Sequence, residues 1–109
     1  MRAGQAIDAL GALAQEHRLK LFRLLVQAGS SGMAAGDLAR AIGIPNSSLS
    51  FHLGHLHRAG LIEQRRAGRS LIYSADYRAM DRLVAYLMEN CCGGAGCAPV
   101  SASLEKETA

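Results

Sequence analysis

The stretch that decides the fold runs from residue 34 to residue 63 and reads AAGDLARAIGIPNSSLSFHLGHLHRAGLIE. Leu38 and Ile42 lie four residues apart, which predicts a short helix that Gly43 can end. The letters GIP that follow are typical of a tight turn. A second helix is expected directly after it, and two short helices joined by a turn containing glycine are typical of a helix-turn-helix motif.

This second helix is expected to have Asn46 or Ser47 as its N-cap, to run to about Ala59 and to close at Gly60. On a helical wheel its leucines form one stripe, which predicts a buried face of Leu49, Leu53 and Leu56. The opposite side is mostly small and polar, and it consists of Ser47, Ser50, Phe51, Gly54 and Arg58. Hydroxyls on such a face can bond to base edges or phosphates, and an aromatic ring can meet a thymine methyl, so we interpret this segment as a recognition helix.

A basic β-hairpin is predicted immediately downstream. LIEQRR and SLIYSA are short extended segments joined by AGR. Residues 58 to 69 hold four arginines against one glutamate, and Arg66 and Arg69 flank the predicted tip. Arginines on a protruding tip can reach phosphates or the neighbouring minor groove.

Three further helices are predicted outside the motif. Apolar residues from Ala6 to Ala14 recur at helical spacing, and Gly29 can end a second helix that follows almost at once. That second helix is predicted to place Leu19, Phe22, Leu25 and Val26 on one face, and a last helix is predicted to do the same with Met80, Leu83, Val84 and Leu87.

Length and composition narrow the class of protein. The chain has 109 residues, which suits one domain, so a wider binding surface is expected to come from a homodimer. Its net charge is +3 and its pI is about 9.0, as suits a polyanionic partner. The first residues lack the apolar core of a signal peptide, and no apolar run approaches the ~20 residues that span a bilayer. We therefore expect a cytoplasmic protein without a membrane partner.

The chain has three cysteines, and all lie within NCCGGAGC, residues 90 to 97. In the cytoplasm such clusters are better interpreted as metal-binding or redox-active than as a disulfide framework. Three thiols do not complete a tetrahedral zinc site, whereas trivalent arsenic or antimony is soft and satisfied by three sulfurs. The glycines would let Cys97 fold back beside Cys91 and Cys92. A flexible tail with incidental thiols, or an oxidation-sensitive vicinal pair, fits the same residues.

Two stretches of the chain resemble the ArsR/SmtB winged-helix repressors of bacteria. LAQEHRLKLFRLL is similar to that family's second helix, and NSSLSFHLGHLHRAGLIEQRRAGRSLIYSAD is similar to its recognition helix and wing. The resemblance covers roughly residues 5 to 90. It implies a mainly α fold with a small β-hairpin, a winged helix-turn-helix homodimer paired through its first and last helices, and release from double-stranded operator DNA by an inducer. By motif position it implies DNA contacts at Asn46, Ser47, Ser50, Phe51, Arg66 and Arg69.

The departures from that family bear on the inducer. Many arsenic-sensing members carry Cys-x-Cys before the motif, where this chain has Ala34 and Gly36. Zinc-sensing members use Asp and His along the last helix, and the last helix of this chain has no histidine. The remaining candidate is the cysteine cluster, so we predict arsenite, with antimonite as an alternative, as an inducer bound by Cys91, Cys92 and Cys97.

The predicted layout has three parts. Residues 1 to 90 form the DNA-binding and dimerisation domain, residues 91 to 97 bind the inducer, and residues 98 to 109 form a disordered tail. Two alternatives stay open: a repressor switched by a disulfide between Cys97 and Cys91 or Cys92, and a small thiol enzyme. The enzyme is disfavoured because a helix C-terminus opposes a thiolate.

Overall fold

The computed structural model of the chain describes residues 1–94, and the predictions for Cys97 and for the tail at 98–109 lie outside them. The elements in chain order are α1 Ala3–Leu13, α2 Glu16–Ala28, β1 Met33–Ala34, α3 Ala35–Ile42, α4 Asn46–Arg58, β2 Ile62–Ala67, β3 Ser70–Ala75 and α5 Tyr77–Leu87, followed by a 3₁₀ turn at Cys91–Gly94. The predicted mainly helical fold with a β-hairpin and a helix-turn-helix motif is confirmed.

The sheet has three antiparallel strands in the order β1-β3-β2. The predicted hairpin is present, and its strands meet in a tight turn at Gly68, whose φ is 63°. β1 was not predicted, because two residues show no periodicity and pair only with a distant segment, Met33 with Tyr73 and Ala34 with Ile72. Gly32 precedes β1 at a φ of 71°, and a Cβ there would overlap the carbonyl oxygen of Tyr73. A glycine is therefore required where the hairpin meets the helical part.

The core lies between the helices and the inner face of the sheet. Its largest fully buried side chains are all leucines, which removes the most apolar surface from water without burying a polar atom. They are Leu21, Leu25, Leu38, Leu49, Leu56 and Leu61.

Helix ends follow the predicted signals, with one correction. Gly43 adopts the left-handed conformation that ends α3, and Gly60, at a φ of 78°, follows α4 as predicted. The predicted N-cap of α4 is wrong by one residue, since the helix already begins at Asn46 and Pro45 stands at the cap without a side-chain hydrogen bond. The fixed φ of proline is compatible with the extended backbone of Pro45, whose φ is −64°.

The outer helices present different faces from those their apolar spacing suggested. In α1 the buried residues are Ala6, Ala9 and Ala12, whereas Ile7 is 68 % exposed. Small residues face the core because they allow α1 to pack closely. In α2 Phe22 and Leu25 are buried as predicted, but Leu21 is buried with them whereas Leu19 and Val26 are exposed. In α5 Val84 and Leu87 are exposed, so α1, α2 and α5 all leave apolar side chains on their outward faces.

The segment after α5 has a different character. Within Cys91–Gly94 no residue is buried, and Asn90 and Cys92 both have a φ of 56°. This left-handed conformation is uncommon for residues with a side chain. Since α5 already ends at Leu87, the chain has left the helix before Asn90 and before the glycines.

Candidate nucleic-acid interface

The two faces of α4 are divided as the helical wheel predicted. Leu49, Leu53 and Leu56 are buried and hold the helix against its neighbours. The predicted DNA-contacting residues of this helix are all exposed, and they are Asn46, Ser47, Ser50 and Phe51. Phe51 is 62 % exposed, although a side chain of its size gains free energy by burial. An exposed aromatic among small polar residues is suited to contact with a partner.

Gly54 lies on the same side of α4 as Ser47, Ser50 and Phe51. A Cβ at this position would meet only the end of the Arg58 side chain, 3.1 Å from its Nη1 atom. The helix backbone is therefore uncovered at the centre of this face, and another molecule can approach it closely.

The wing, β2 and β3 with their connecting turn, carries the arginines. Arg66 pairs with Leu71 and Arg65 with Ile72 across the two strands. Since alternate residues of a strand point to opposite faces, Arg66 shares the face of buried Ile62, whereas Arg65 lies on the other. There Arg65 Nη2 donates to the Ser31 carbonyl at 2.8 Å. Arg65 thus ties the wing to the loop before β1, and Arg66 and Arg69 extend toward the tip.

The basic side chains of the interface are not neutralised locally. In the part of the chain that the structure describes, ion pairs form only between Lys20 and Glu16 and between Arg40 and Asp37. Arg58, Arg66 and Arg69 are exposed and take no part in them. Unpaired arginine charge beside an open helix face matches the electrostatic requirement of a phosphate backbone.

A buried arginine behind the recognition helix was missed at the level of sequence. Arg18 Nε donates to the Ala12 carbonyl at 2.7 Å, and its Nη1 lies 3.4 Å from His52 Nδ1 on α4. Burial lowers the pKa of His52, and the positive charges of Arg18, His17 and His55 lower it further. One sequence signal was available, since Arg18 precedes the buried residues Leu21, Phe22 and Leu25 at the same helical spacing.

The predicted inducer ligands lie apart from α4, beyond the end of α5. Cys91 Sγ is 3.7 Å from Cys92 Sγ, and Cys92 is exposed. Across residues 1–94 no three His, Cys, Asp or Glu side chains are grouped so as to hold a metal ion. The three-cysteine site itself includes Cys97, which is outside this range.

The open face of α4, the basic wing and the buried supporting leucines together define a winged helix-turn-helix DNA-binding domain. Comparisons with known proteins agree. Residues 13–65 match the family model described as a helix-turn-helix domain. The HTH-type transcriptional regulator YgaV of Escherichia coli is 33 % identical over 90 residues, which cover 83 % of this chain and 89 % of that protein.

Two solved structures are also similar. One is described as a possible transcriptional regulator for arsenical resistance; it is 31 % identical with a TM-score of 0.65, and the match covers 73 % of this chain and 80 % of that one. The other is the homodimeric winged helix-turn-helix domain Mb0332 of Mycobacterium bovis, a possible ArsR-family regulator, with 24 % identity, a TM-score of 0.65 and coverage of 88 % and 89 %. The chain therefore belongs to the HTH-type transcriptional regulators with the ArsR-like winged-helix fold, and it is a DNA-binding protein.

The relatives found are transcriptional regulators rather than enzymes. Among residues 1–94 no helix has the length and apolar character needed to cross a membrane.

Proposed function

We propose that this chain is a cytoplasmic, homodimeric repressor that binds operator DNA through α4 and the wing and is released when trivalent arsenic binds Cys91, Cys92 and Cys97. The observation that carries the DNA-binding part is the exposed face of Asn46, Ser47, Ser50 and Phe51 on a helix whose other side is fully buried. Arg66 and Arg69 of the wing supply phosphate contacts in this proposal.

Homodimerisation is supported by the outward faces of α1 and α5. These two helices contact each other, and together they expose large apolar side chains: Ile7, Leu10, Val84 and Leu87. Ile7 is 68 % and Val84 51 % exposed, which costs free energy unless a partner covers them. A second copy of the chain is the partner we propose, as in the homodimeric Mb0332 domain.

A charge placed on this face tests the dimer. In Val84→Glu the carboxylate would be buried at the interface, so sedimentation velocity should show a monomer. Operator affinity should fall by at least about 100-fold, because one half-site no longer assists the other. Gln27→Glu, which adds the same charge to an exposed position on α2, should remain dimeric. A Val84→Glu protein that stays dimeric would contradict the proposed interface.

The inducer part rests on the chemistry of the cysteines. In the reduced protein, three thiols can displace the three hydroxides of arsenous acid; three As–S bonds form, three As–O bonds break, and each thiol proton leaves with a hydroxide as water. Soft thiolates favour soft ions of this kind. The adjacency of the Cys91 and Cys92 sulfurs, 3.7 Å apart, supports their acting on one ion.

Release from DNA follows if the site is coupled to the dimer. The first cysteine, Cys91, follows shortly after α5, which ends at Leu87 and whose exposed apolar side chains belong to the proposed dimer face. Two recognition helices must lie about one DNA turn, ~34 Å, apart to enter successive major grooves. A rearrangement at the end of α5 would change that separation. By linkage, operator DNA must then weaken arsenic binding by the same factor.

The decisive experiment is fluorescence anisotropy of the reduced chain on its own promoter DNA, with arsenite and, separately, zinc as titrants. The protein should be reduced with a phosphine, because dithiol reductants bind arsenite themselves. Arsenite should release the wild type but not Cys97→Ser, and zinc should release neither. Ala98→Ser introduces the same side chain at the next position and should respond like the wild type. A wild-type protein that stays bound in arsenite would contradict the inducer assignment.

A thiol redox switch is the second candidate, and the exposure of Cys92 beside Cys91 favours it. Cys97 and one of the other two cysteines would be oxidised by peroxide; two thiols lose two hydrogens, a disulfide forms, and peroxide is reduced to two waters. Release by peroxide and recovery with reductant, without arsenic, would identify this switch. A thiol enzyme is less suited to these residues, because they follow the C-terminus of α5, whose dipole opposes a thiolate.

A further inference from the structure

Arg18 is the only buried charged residue in the part of the chain that the structure describes. Its guanidinium forms no ion pair there and is held instead by the Ala12 carbonyl, one of the unsatisfied acceptors at the end of α1. The negative end of the α1 dipole favours a cation at this point. A buried charge is costly unless hydrogen bonds compensate for its lost hydration, so the contacts of Arg18 show what holds it there.

The second contact of Arg18 determines how His52 carries its proton. A guanidinium can only donate hydrogen bonds, so His52 Nδ1, 3.4 Å from Arg18 Nη1, has to be the acceptor. In a neutral imidazole the proton then sits on Nε2. Burial and the positive charges of Arg18, His17 and His55 lower the pKa of His52, which favours this neutral form at neutral pH.

The other ring nitrogen of His52 is open to solvent. Within residues 1–94 every buried side-chain nitrogen or oxygen has a hydrogen-bond partner. His52 Nε2 has no such partner in this range, so the atom lies at the surface. His52 thus links a buried guanidinium on one side of its ring to the surface of α4 on the other.

The position of His52 on α4 suggests what it meets. It follows exposed Phe51, and its ring contacts that of Phe51 at a centroid distance of 5.4 Å. On the helical wheel it borders the leucine stripe on the side of Ser48 and His55, outside the face of Ser47, Ser50 and Gly54. Donors at the edge of a recognition helix face the walls of the groove, where the phosphates are.

We propose that His52 donates a hydrogen bond from Nε2 to a DNA backbone phosphate, and that Arg18 is the positioning residue that holds His52 in the tautomer able to do so. This rests on the DNA-binding part of the proposed function and is independent of the inducer. The contact is neutral, so it orients α4 on the duplex without adding to the counterion release that arginine contacts produce.

The tautomer is tested directly on the wild-type protein. Long-range ¹H–¹⁵N correlation spectra of the histidine side chains, taken near neutral pH, should show His52 with its proton on Nε2. Addition of operator DNA should shift the Nε2 signal more than the Nδ1 signal. A proton on Nδ1, or an Nε2 signal that operator DNA leaves unchanged, would overturn the proposal without any substitution in the chain.

The contact is tested with two substitutions that imitate one ring nitrogen each. His52→Asn keeps an acceptor near Arg18 but lacks the distant donor, and it should bind operator about fivefold more weakly per protomer, the effect of one neutral hydrogen bond. His52→Gln places an amide donor near the Nε2 position and should recover most of that loss. The slope of affinity against salt concentration should stay that of the wild type in both variants.

His57→Asn makes the same change at an exposed histidine of the same helix and should bind like the wild type. The proposal would be overturned by full operator affinity in His52→Asn or by an equal loss of affinity in His57→Asn. It would also be overturned if the salt slope of a His52 variant fell by about one unit, because that marks a lost cationic contact. These results differ from a wild type that fails to bind DNA at all, which would instead contradict the proposed function.

Discussion

α4 and the Cys91–Gly94 turn are the two regions to which we assign ligands, and they are built in opposite ways. α4 is fixed by three buried leucines and exposes its polar side. The Cys91–Gly94 turn has no buried residue, and it contains backbone in the left-handed region at Cys92 and Gly93. A DNA-reading surface has to be presented in one geometry, whereas a sensor has to change geometry when its ligand binds.

The two regions also differ in how far packing protects their backbone hydrogen bonds. The Cys91–Gly94 turn is held by local hydrogen bonds, from Cys91 N to the Met88 carbonyl and from Gly93 N to the Asn90 carbonyl, both 2.9 Å long. Such bonds resist opening only when side-chain packing protects them. With the cysteines reduced and no ligand bound, the turn is expected to open easily, while α4 should open only with the whole domain.

Hydrogen exchange should give the largest contrast between the two regions. Amides in the middle of α4, such as those of Leu53 and Gly54, should exchange with the free energy of global unfolding, about 5–15 kcal/mol for a domain. Amides of Cys91 and Gly93 should exchange at nearly the rate of an unfolded peptide. Strong protection at Gly93 without ligand would contradict the proposed difference.

Truncation of one side chain in each region should repeat the contrast in stability. Leu56→Ala removes a fully buried side chain and should lower the free energy of unfolding by about 2–5 kcal/mol. Cys91→Ser, in the reduced protein, should change it by less than about 0.5 kcal/mol. Urea denaturation measures both, and comparable losses in the two variants would show that the cysteine turn is part of the folded core.

A glycine-to-alanine substitution should stabilise α4 but not the Cys91–Gly94 turn. Gly54→Ala should raise the free energy of unfolding by up to about 1 kcal/mol, because alanine is the better helix former. Gly93→Ala should lower it or leave it unchanged, since Gly93 has a φ of 65°.

Gly54→Ala also separates the effect on stability from the effect on DNA binding. Gly54→Ala should weaken operator binding by about tenfold, the equivalent of roughly 1.4 kcal/mol, because its methyl group lies where the DNA backbone approaches. Anisotropy measurements would decide this, and a Gly54→Ala protein with wild-type affinity would show that close approach is not needed there.

The smallest expected effect is the change in the free energy of unfolding as the pH falls. The pKa of His52 is lowered in the folded protein, chiefly by burial and then by Arg18, His17 and His55. The unfolded chain therefore binds more protons below about pH 6.5, and the free energy of unfolding should fall as the pH drops through and below that value. His52→Gln should flatten this dependence in urea titrations, and an unchanged slope would assign the effect to another group.

Much of the fold was accessible from the sequence because its signals are local. Each of these signals depends on residues that are close together in the sequence. They are the glycines after α3 and α4, the leucine stripe of α4 and the paired strands of the wing. The exposed positions of Asn46, Ser47, Ser50 and Phe51 follow from the same periodicity. The DNA contacts themselves and the inducer remain predictions, since both depend on molecules outside the chain.

The errors share a different cause. Apolar spacing in α1 and α5 correctly predicted helices, but it could not show that alanines would face the core while Ile7 and Val84 faced outward. A periodic pattern identifies an amphipathic helix without stating whether its apolar side meets the same chain or a partner. β1 was missed because two residues carry no period at all.

By itself the sequence determined the helix-turn-helix motif, the wing and the clustering of all three cysteines in one segment, since these depend on caps, turns and short-range periodicity. Only the tertiary structure decided which apolar faces stay uncovered, why Gly32 has to be a glycine against Tyr73, and that Arg18 reaches His52, 34 positions away. The physical reason is that burial and hydrogen bonding between distant segments depend on how the helices and strands pack together. The spacing of residues within one helix or strand does not determine that packing.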